Sequence, residues 1–252
     1  MRRTVHQTAV FVIGFVLVAA VPAHAQQVRV LSSVAVKAVL EALAPEFAHT
    51  SKETIAPEFG IAAALKTRIE GGEPFDVAIL TPAMLDDLAA KGLIDSAPRP
   101  VVARSGLGLM VKAGAAKPDV SSVEAFKRTL LSARAISYVP NSASGTAFLA
   151  TLDKLGMADA VKRNAKTATS GDEVNANITS GAADVAVLPI SEILPVAGAQ
   201  LGGVFPPGIQ SYIVMAAGIN ARSPRAAAAR EYVRFITSSK ATAVVKAKGM
   251  ER

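Results

Sequence analysis

The sequence predicts an α/β protein of two lobes, with mixed, mostly parallel sheets and helices on both faces. Short apolar runs alternate with segments in which apolar residues recur at helical spacing, an order typical of α/β layers. The chain of 252 residues is long enough for two modest domains that each bury a core. Two segments that connect the alternating units indicate where the chain passes between lobes.

The first 25 residues are predicted to be a secretory signal peptide. Arg2 and Arg3 precede the apolar run AVFVIGFVLVAAV, and the small-residue site Ala23-His24-Ala25 follows it. The run is too short for a membrane span, which needs about 18 apolar residues. We therefore expect a protein exported to the periplasm by a cleavable signal, with the choice between the general secretory and twin-arginine routes left open.

The first units of the pattern follow directly. Gln27–Leu31 reads as a strand, and a helix with one apolar face runs from Val36 to Phe47. A second helix begins at about Ala62 and stops at Gly71-Gly72, before the buried strand Phe75–Leu80. Thr81-Pro82 then begins another helix, as proline favours the first helical turn.

The pattern repeats in the middle of the chain. Leu107–Val111 and Ala135–Val139 read as strands, and Ser121-x-x-Glu124 between them fits a capping box. The crossings between lobes are predicted at Val101–Gly108 and at Pro206-Pro207-Gly208. The predicted lobes are residues 26–104 with 210–252, and residues 105–209.

Composition excludes several functions. The chain has no cysteine, which rules out disulfides, thiolate metal sites and a lipoprotein anchor. Its 27 basic and 20 acidic residues give a mild positive excess, but the basic residues are scattered and aromatics are few, so nucleic acid is a poor partner. After signal removal His49 is the one histidine, too little for a zinc site or a histidine triad. We expect no cofactor and no metal site.

Small hydroxyl residues gather where predicted strands meet helices. Ser33, Ser144 and Thr146 stand at such junctions. In open α/β sheets ligands bind beyond the carboxyl ends of strands, where helix N-termini present unpaired N–H groups and a partial positive charge. The stretch SYVPNSASGTAFLATLDKLG, from residue 137, therefore favours an anion site in which small residues let the ligand reach the backbone.

Each candidate also fits a plainer role. Ser32 or Ser33 fits a simple N-cap, whereas Asn141–Thr146 has more hydroxyls than one cap requires. Arg104 fits a solvated surface charge, or a cation that neutralises an anion at the first crossing. Asp172 lies in a turn that fits a helix cap first and a ligand-binding loop second.

Five segments in order resemble the type II periplasmic solute-binding proteins, and among them the molybdate-binding-protein-like family of ABC transporters. They are LSSVAVKAVLEALAPEF, LKTRIEGGEPFDVAIL, NSASGTAFLATLDKLG, GDEVNANITSGAADVAVLPISEIL and AREYVRFITSSKATAVVKAKGM, which together span nearly the whole mature chain. The resemblance implies two lobes joined by a hinge and a small anion enclosed between them. It further implies a monomer that delivers its ligand to an inner-membrane permease powered by an ATPase.

The resemblance also carries over individual residues. The serine that the family places at its first helix falls at Ser33 or Ser32, but the family's serine-rich turn is replaced here by Ile61 and Ala62. A tyrosine of the family is replaced by Pro189. In a buried site each missing hydrogen bond to an oxyanion costs about 1–3 kcal/mol. The expected ligand-binding residues are Ser32, Ser33, Ile61, Ala62, Arg104, Ser142, Ser144, Gly145, Thr146, Asp172 and Pro189.

These departures leave the ligand open between two classes. A molybdate- or tungstate-like oxyanion, in which the metal enters only as the anion, is the first expectation, and a small organic acid is the alternative because Ala62-Ala63-Ala64 adds methyl surface. The protein is expected not to be an enzyme. A secreted serine hydrolase with Ser144 as nucleophile is the alternative of a different class, but the Gly-x-Ser-x-Gly elbow is absent. A ferric-ion site would need clustered phenolates, and Tyr138, Tyr212 and Tyr232 are dispersed.

Overall fold

The computed structural model describes residues 27–252, so the predicted signal peptide lies outside the described residues. Within residues 27–252 the strands are Val28–Ser33 (β1), Ile55–Gly60 (β2), Val77–Leu80 (β3), Val101–Lys112 (β4), Ile136–Tyr138 (β5), Ala165–Thr167 (β6), Val185–Pro189 (β7), Ala199–Val204 (β8) and Tyr212–Ile219 (β9). The helices are Lys37–Thr50 (α1), Ala62–Glu70 (α2), Pro82–Ala90 (α3), Val123–Ser132 (α4), Ala143–Lys154 (α5), Ala158–Lys162 (α6), Gly171–Thr179 (α7), Ile190–Ile193 (α8), Ala226–Ile236 (α9) and Ala241–Ala247 (α10). Short 3-10 helices lie at Val34–Val36 and Pro207–Ile209. None of the described helices has the length and apolar character of a membrane span.

The described strands form one mixed sheet, in the order β2-β1-β3-β9-β4-β7-β5-β6 with β8 beside β4. β1 pairs in parallel with β2 and β3, and β5 pairs in parallel with β6 and β7. β9 and β4 run antiparallel to their neighbours. The predicted α/β class is therefore confirmed, with parallel strands on both sides of a central antiparallel pair.

Strand β4 belongs to both halves of the sheet. Val101–Gly106 pairs with β9, and Leu107–Lys112 pairs with β7 and β8. The segment Val101–Gly108, where the sequence predicts a crossing between lobes, is thus part of one continuous strand. We use "first half" for β1, β2, β3 and β9 with the helices on them, and "second half" for β5 to β8 with theirs.

Helices cover both faces of the sheet because alternate strand residues point in opposite directions. On β3, Val77 joins one buried cluster and Ala78 joins another on the opposite face. Helices α1 and α9 pack on the face that carries Val77, where the ring centroids of Phe47 and Tyr232 lie 5.2 Å apart, edge to face. Helices α2 and α3 cover the second face.

Serine side chains begin three of the second-half helices. Ser122, Ser142 and Ser170 cap α4, α5 and α7, and each accepts a hydrogen bond from the N–H three residues later. The capping box predicted at Ser121 is wrong by one residue, because the Ser121 hydroxyl instead donates to Asp119 at 2.7 Å.

A buried carboxylate joins separate segments of the first half. Asp76 is 5% exposed and accepts hydrogen bonds from the Arg29 N–H at 2.8 Å and the Ser223 hydroxyl at 2.6 Å. It therefore fixes the turn before α9 against the starts of β1 and β3.

Candidate functional site

A small cavity lies where helix starts of the two halves face each other. Its volume is about 30 Å³, and its wall includes the beginnings of the first 3-10 helix, α2, α5 and α7. Strands β1, β5 and β7 end at this place, which is the carboxyl edge of the parallel strands in each half. The fold thereby produces the arrangement that strand-to-helix junctions predict for a ligand site.

Ser33 contributes one hydroxyl to the cavity wall. Its Oγ accepts a hydrogen bond from the Ala35 N–H at 3.3 Å, and its hydrogen has no acceptor among the described residues. Ser33 is thus both the N-cap of the 3-10 helix and a potential donor to a ligand. Ser32 is fully buried outside the lining, and its hydroxyl donates to the Ser33 carbonyl at 3.2 Å.

Ser142 and Ser144 form a hydroxyl pair on the opposite wall. Their Oγ atoms lie 3.0 Å apart, and the Ser142 hydroxyl is also 2.9 Å from the Val139 carbonyl. Since a hydroxyl has one hydrogen, Ser142 can donate either to Val139 or to Ser144. When it donates to Ser144, the Ser144 hydrogen is released toward the cavity.

Helix α2 begins at the cavity without a side-chain cap. Ile61 is its N-cap and Ala62 its first residue, and both line the cavity. The first N–H bonded within the helix is that of Leu65, which donates to the Ile61 carbonyl at 3.0 Å. The N–H groups of Ala62–Ala64 have no such partner, as expected of a first helical turn. The start of α2 thus lacks the serine hydroxyls that the resembling family has there, but it keeps its backbone N–H donors.

Gly145 and Thr146 do not line the cavity, although the sequence predicts both as ligand-binding residues. The Gly145 N–H is consumed by the Ser142 cap at 3.0 Å, and Thr146 is exposed. A Cβ on Gly145 would lie 1.9 Å from the Val139 carbonyl oxygen. Glycine is therefore required here so that α5 can begin directly against the end of β5.

The remaining predicted residues are divided between the cavity and its surroundings. Pro189 lines the cavity. Arg104 does not, because its guanidinium pairs with Glu251 at 2.8 Å and stacks on the Tyr212 ring at 4.7 Å. Asp172 is exposed and faces a wider cleft outside the cavity.

Glu192 is the ionisable residue in the cavity wall, and the sequence reasoning missed it. Pro189 is the N-cap of α8, and Glu192 lies in the first turn of that helix. Burial raises the pKa of Glu192 to about 7, and the carboxyl has no hydrogen-bond or ion-pair partner among residues 27–252. The neighbouring Ser191 fixes α8, since its hydroxyl donates to the Ala35 carbonyl at 2.9 Å across the two halves.

A wider cleft of about 620 Å³ adjoins the cavity and shares part of its wall. Val34, Ile61, Leu188 and Glu192 are among the residues that line both spaces. Lys37, Glu41 and Asp172 bring charge to this cleft. A ligand larger than the cavity can therefore extend from it without leaving the molecule.

The described residues of the cavity wall form neither a catalytic triad with histidine nor a metal site. Among the described residues no group of three or more histidine, aspartate or glutamate side chains could hold a metal ion. The Ser144 hydroxyl has Ser142 as its partner, and His49 is exposed near the opposite end of α1 from the cavity. The serine hydrolase expectation thus lacks a histidine beside its nucleophile.

A cavity enclosed between two α/β halves, with serine hydroxyls and helix starts on its walls, is the arrangement of a protein that captures a small solute. The chain belongs to the family of bacterial extracellular solute-binding proteins, whose family model matches residues 28–251.

Several known proteins are similar to this chain. A protein named aconitate isomerase from a Pseudomonas species is 28% identical over 255 residues, which cover 95% of this chain and 94% of that protein. The periplasmic molybdate-binding protein of Azotobacter vinelandii has a TM-score of 0.76 at 23% identity, over 90% of this chain and 99% of that one. The sulfate-binding protein of Mycobacterium tuberculosis has a TM-score of 0.71 at 18% identity, over 89% and 86%. The two-lobed binding-protein fold is therefore confirmed.

Proposed function

We propose that this protein is the periplasmic binding component of an ABC importer and captures a small organic anion by one of its carboxylates. The observation that carries the proposal is the mixed wall of the cavity. Serine hydroxyls and the uncapped start of α2 supply donors, while Ile61, Leu188, Ile213 and Met215 supply apolar contacts. A carboxylate attached to a carbon skeleton needs both kinds of surface.

The donors would come from both halves at once. Ser33 and the N–H groups at the start of α2 face the ligand from the first half, and Ser144 faces it from the second. Charge-assisted hydrogen bonds of this kind contribute about 1.5–3 kcal/mol each. The described cavity wall contains no lysine or arginine, so helix dipoles and hydroxyls would provide the attraction.

The size of the cavity favours a carboxylate group over a complete large anion. The cavity is small, about 30 Å³, whereas the cleft that adjoins it is about 620 Å³. The carbon skeleton would then occupy the wider cleft. The similarity to a protein named aconitate isomerase is a separate reason to propose an organic acid as the ligand.

A tetrahedral oxyanion is the second candidate ligand. The fold is shared with molybdate- and sulfate-binding proteins, and the cavity is compact. With four oxygens such an anion would need the cavity to widen slightly. Its binding would use the same hydroxyls and the same helix starts.

Binding would close two lobes around the ligand. We assign the lobes to residues 26–104 with 210–252, and to residues 105–209, with β4 and β9 as the connecting strands. The ligand shifts the population to the closed form because it contacts both lobes only there. The closed monomer would then dock on the permease of the importer.

The test is a thermal-shift and calorimetric titration of the purified protein with molybdate, tungstate, sulfate, citrate, cis-aconitate and trans-aconitate. A carboxylate present at 100 times its Kd stabilises the protein by about 2.7 kcal/mol, which raises Tm by about 5–11 °C. An effect of molybdate or tungstate alone would select the second candidate. No response to any of these anions would contradict an anion receptor.

Catalysis is tested with the same ligands. The similarity to a protein named aconitate isomerase raises the alternative that this protein interconverts the aconitate isomers. We expect binding without conversion, so an NMR spectrum of cis-aconitate should be unchanged after prolonged incubation with the protein. Protein-dependent formation of the trans isomer would show instead that the site is catalytic.

A further inference from the structure

Glu192 poses an electrostatic question at the proposed anion site. Its side chain lines both the cavity and the wider cleft, and the described cavity wall offers no cation to neutralise it. An ionised carboxylate beside a bound anion would be repelled, because like charges in a poorly solvated site cannot both persist. In a site that attracts anions through hydrogen-bond donors, Glu192 must therefore be something other than an ionised carboxylate.

We propose that Glu192 binds the captured anion as a neutral carboxylic acid and donates its proton in a hydrogen bond, so that ligand capture takes up a proton. This inference rests on the proposed function. It makes Glu192 a specificity-determining residue, since a protonated carboxyl rewards ligands that present a fully ionised, acceptor-only oxygen.

The geometry places this side chain where it can reach a ligand. The fixed position of α8 holds Glu192 at the cavity, because the Ser191 hydroxyl donates to the Ala35 carbonyl and the Ser191 N–H donates to the Ser105 hydroxyl oxygen at 3.2 Å. The carboxyl lies near the start of α7, where Oε2 would be 3.6 Å from a Cβ placed on Gly171. Burial already raises the pKa of the carboxyl to about 7 before any anion is present.

The other charged groups around the cleft do not offset the repulsion between an ionised Glu192 and a bound anion. The cleft-lining groups are Lys37, Glu41 and Asp172, and on β4 packed beside α8 there is Arg104. Lys37 lies 3.8 Å from Glu41, and Arg104 is paired with Glu251. Asp172 is a further negative charge on the cleft, which favours the neutral form of Glu192.

The experiment measures Kd by calorimetry between pH 7 and pH 9 with two probes, trans-aconitate and molybdate, whose own ionisation is essentially complete in this range. Above pH 7 each pH unit should weaken binding tenfold, or about 100-fold by pH 9, since the proton must be supplied with the ligand. Titrations at pH 8 in buffers of different ionisation enthalpy should show uptake of about one proton.

The isosteric variant Glu192→Gln should bind with an affinity that changes less than threefold over the same range, because the amide is a permanent donor. Glu124→Gln, which removes an equal charge from an exposed side chain far from the cavity, should keep the wild-type profile. Wild-type binding that is independent of pH and takes up no proton would overturn the role of Glu192 while leaving the proposed function intact. Failure of these two probes and of the other anions of the thermal-shift panel to bind at every pH would overturn both proposals.

Discussion

The contact between Gly145 and the end of β5 predicts a large effect of adding one methyl group. In Gly145→Ala the new Cβ would lie 1.9 Å from the Val139 carbonyl oxygen and 3.0 Å from the Pro140 Cα. Both neighbours are backbone atoms, so no side chain can rotate away. The first turn of α5 must instead move by about 1.5 Å to restore ordinary van der Waals separation.

Overpacking of this kind costs about 1–3 kcal/mol. For a chain of this size the corresponding fall in Tm is about 2–12 °C. Ser142 and Ser144 lie in the displaced turn, so the rise in Tm caused by a bound anion should shrink as well. The assay is thermal unfolding, with and without the anion that stabilises the wild type most.

Gly208→Ala is the matched control, because its new Cβ would meet only the Val123 side chain, at 3.8 Å. It should unfold within about 1 °C of the wild type. A Gly145→Ala protein with wild-type Tm and undiminished response to the anion would refute the reasoning, because it would mean that α5 does not need its close approach to β5.

Four further predictions follow from single side chains. Ser33→Ala and Ser144→Ala should each weaken anion binding about 10-fold to 150-fold in calorimetry, the equivalent of one hydrogen bond to a charged group; unchanged affinity would remove that hydroxyl from the site. Arg104→Ala should leave affinity unchanged, because its partner is Glu251, and a loss of binding would return it to the site. Asp76→Ala should lower the free energy of unfolding by about 1–3 kcal/mol in urea, since two donors lose their acceptor, and a smaller change would show that water replaces it. Glu192→Gln should become more stable than the wild type as pH rises from 4.5 to 7. Burial raises the folded-state pKa of Glu192 to about 7, so ionisation of the wild-type carboxyl lowers the free energy of unfolding across this window. Identical pH profiles of stability for the two proteins would contradict the raised pKa.

The sequence predicts the regular elements well where one face is clearly apolar. The helix with Phe47, the helix that begins at Ala62 and the buried strand ending at Leu80 all occur close to their predicted positions. Strand β2 was missed because it is an edge strand with Pro57 in it and without alternating burial.

The sequence predicts only part of the cavity wall, because local patterns show where helices start but not how distant segments approach each other. Junctions of strands and helices indicate where helix starts will face a ligand, and Ser33, Ala62 and Ser144 do line the cavity. Thr146 lies only two residues beyond Ser144, yet helical rotation turns it outward. Glu192 carries no local signal of its role, because its position depends on the approach of α8 to the other half.

The place of β9 between β3 and β4 has a consequence for how the molecule is made. Residues 212–219 supply the strand that joins the two parallel groups, so the amino-terminal part of the sheet cannot be completed until almost the whole chain has been synthesised. Pairings between positions so distant along the chain form slowly. The strands of the second half are all made before β9, so the second half can assemble first and the first half is completed last.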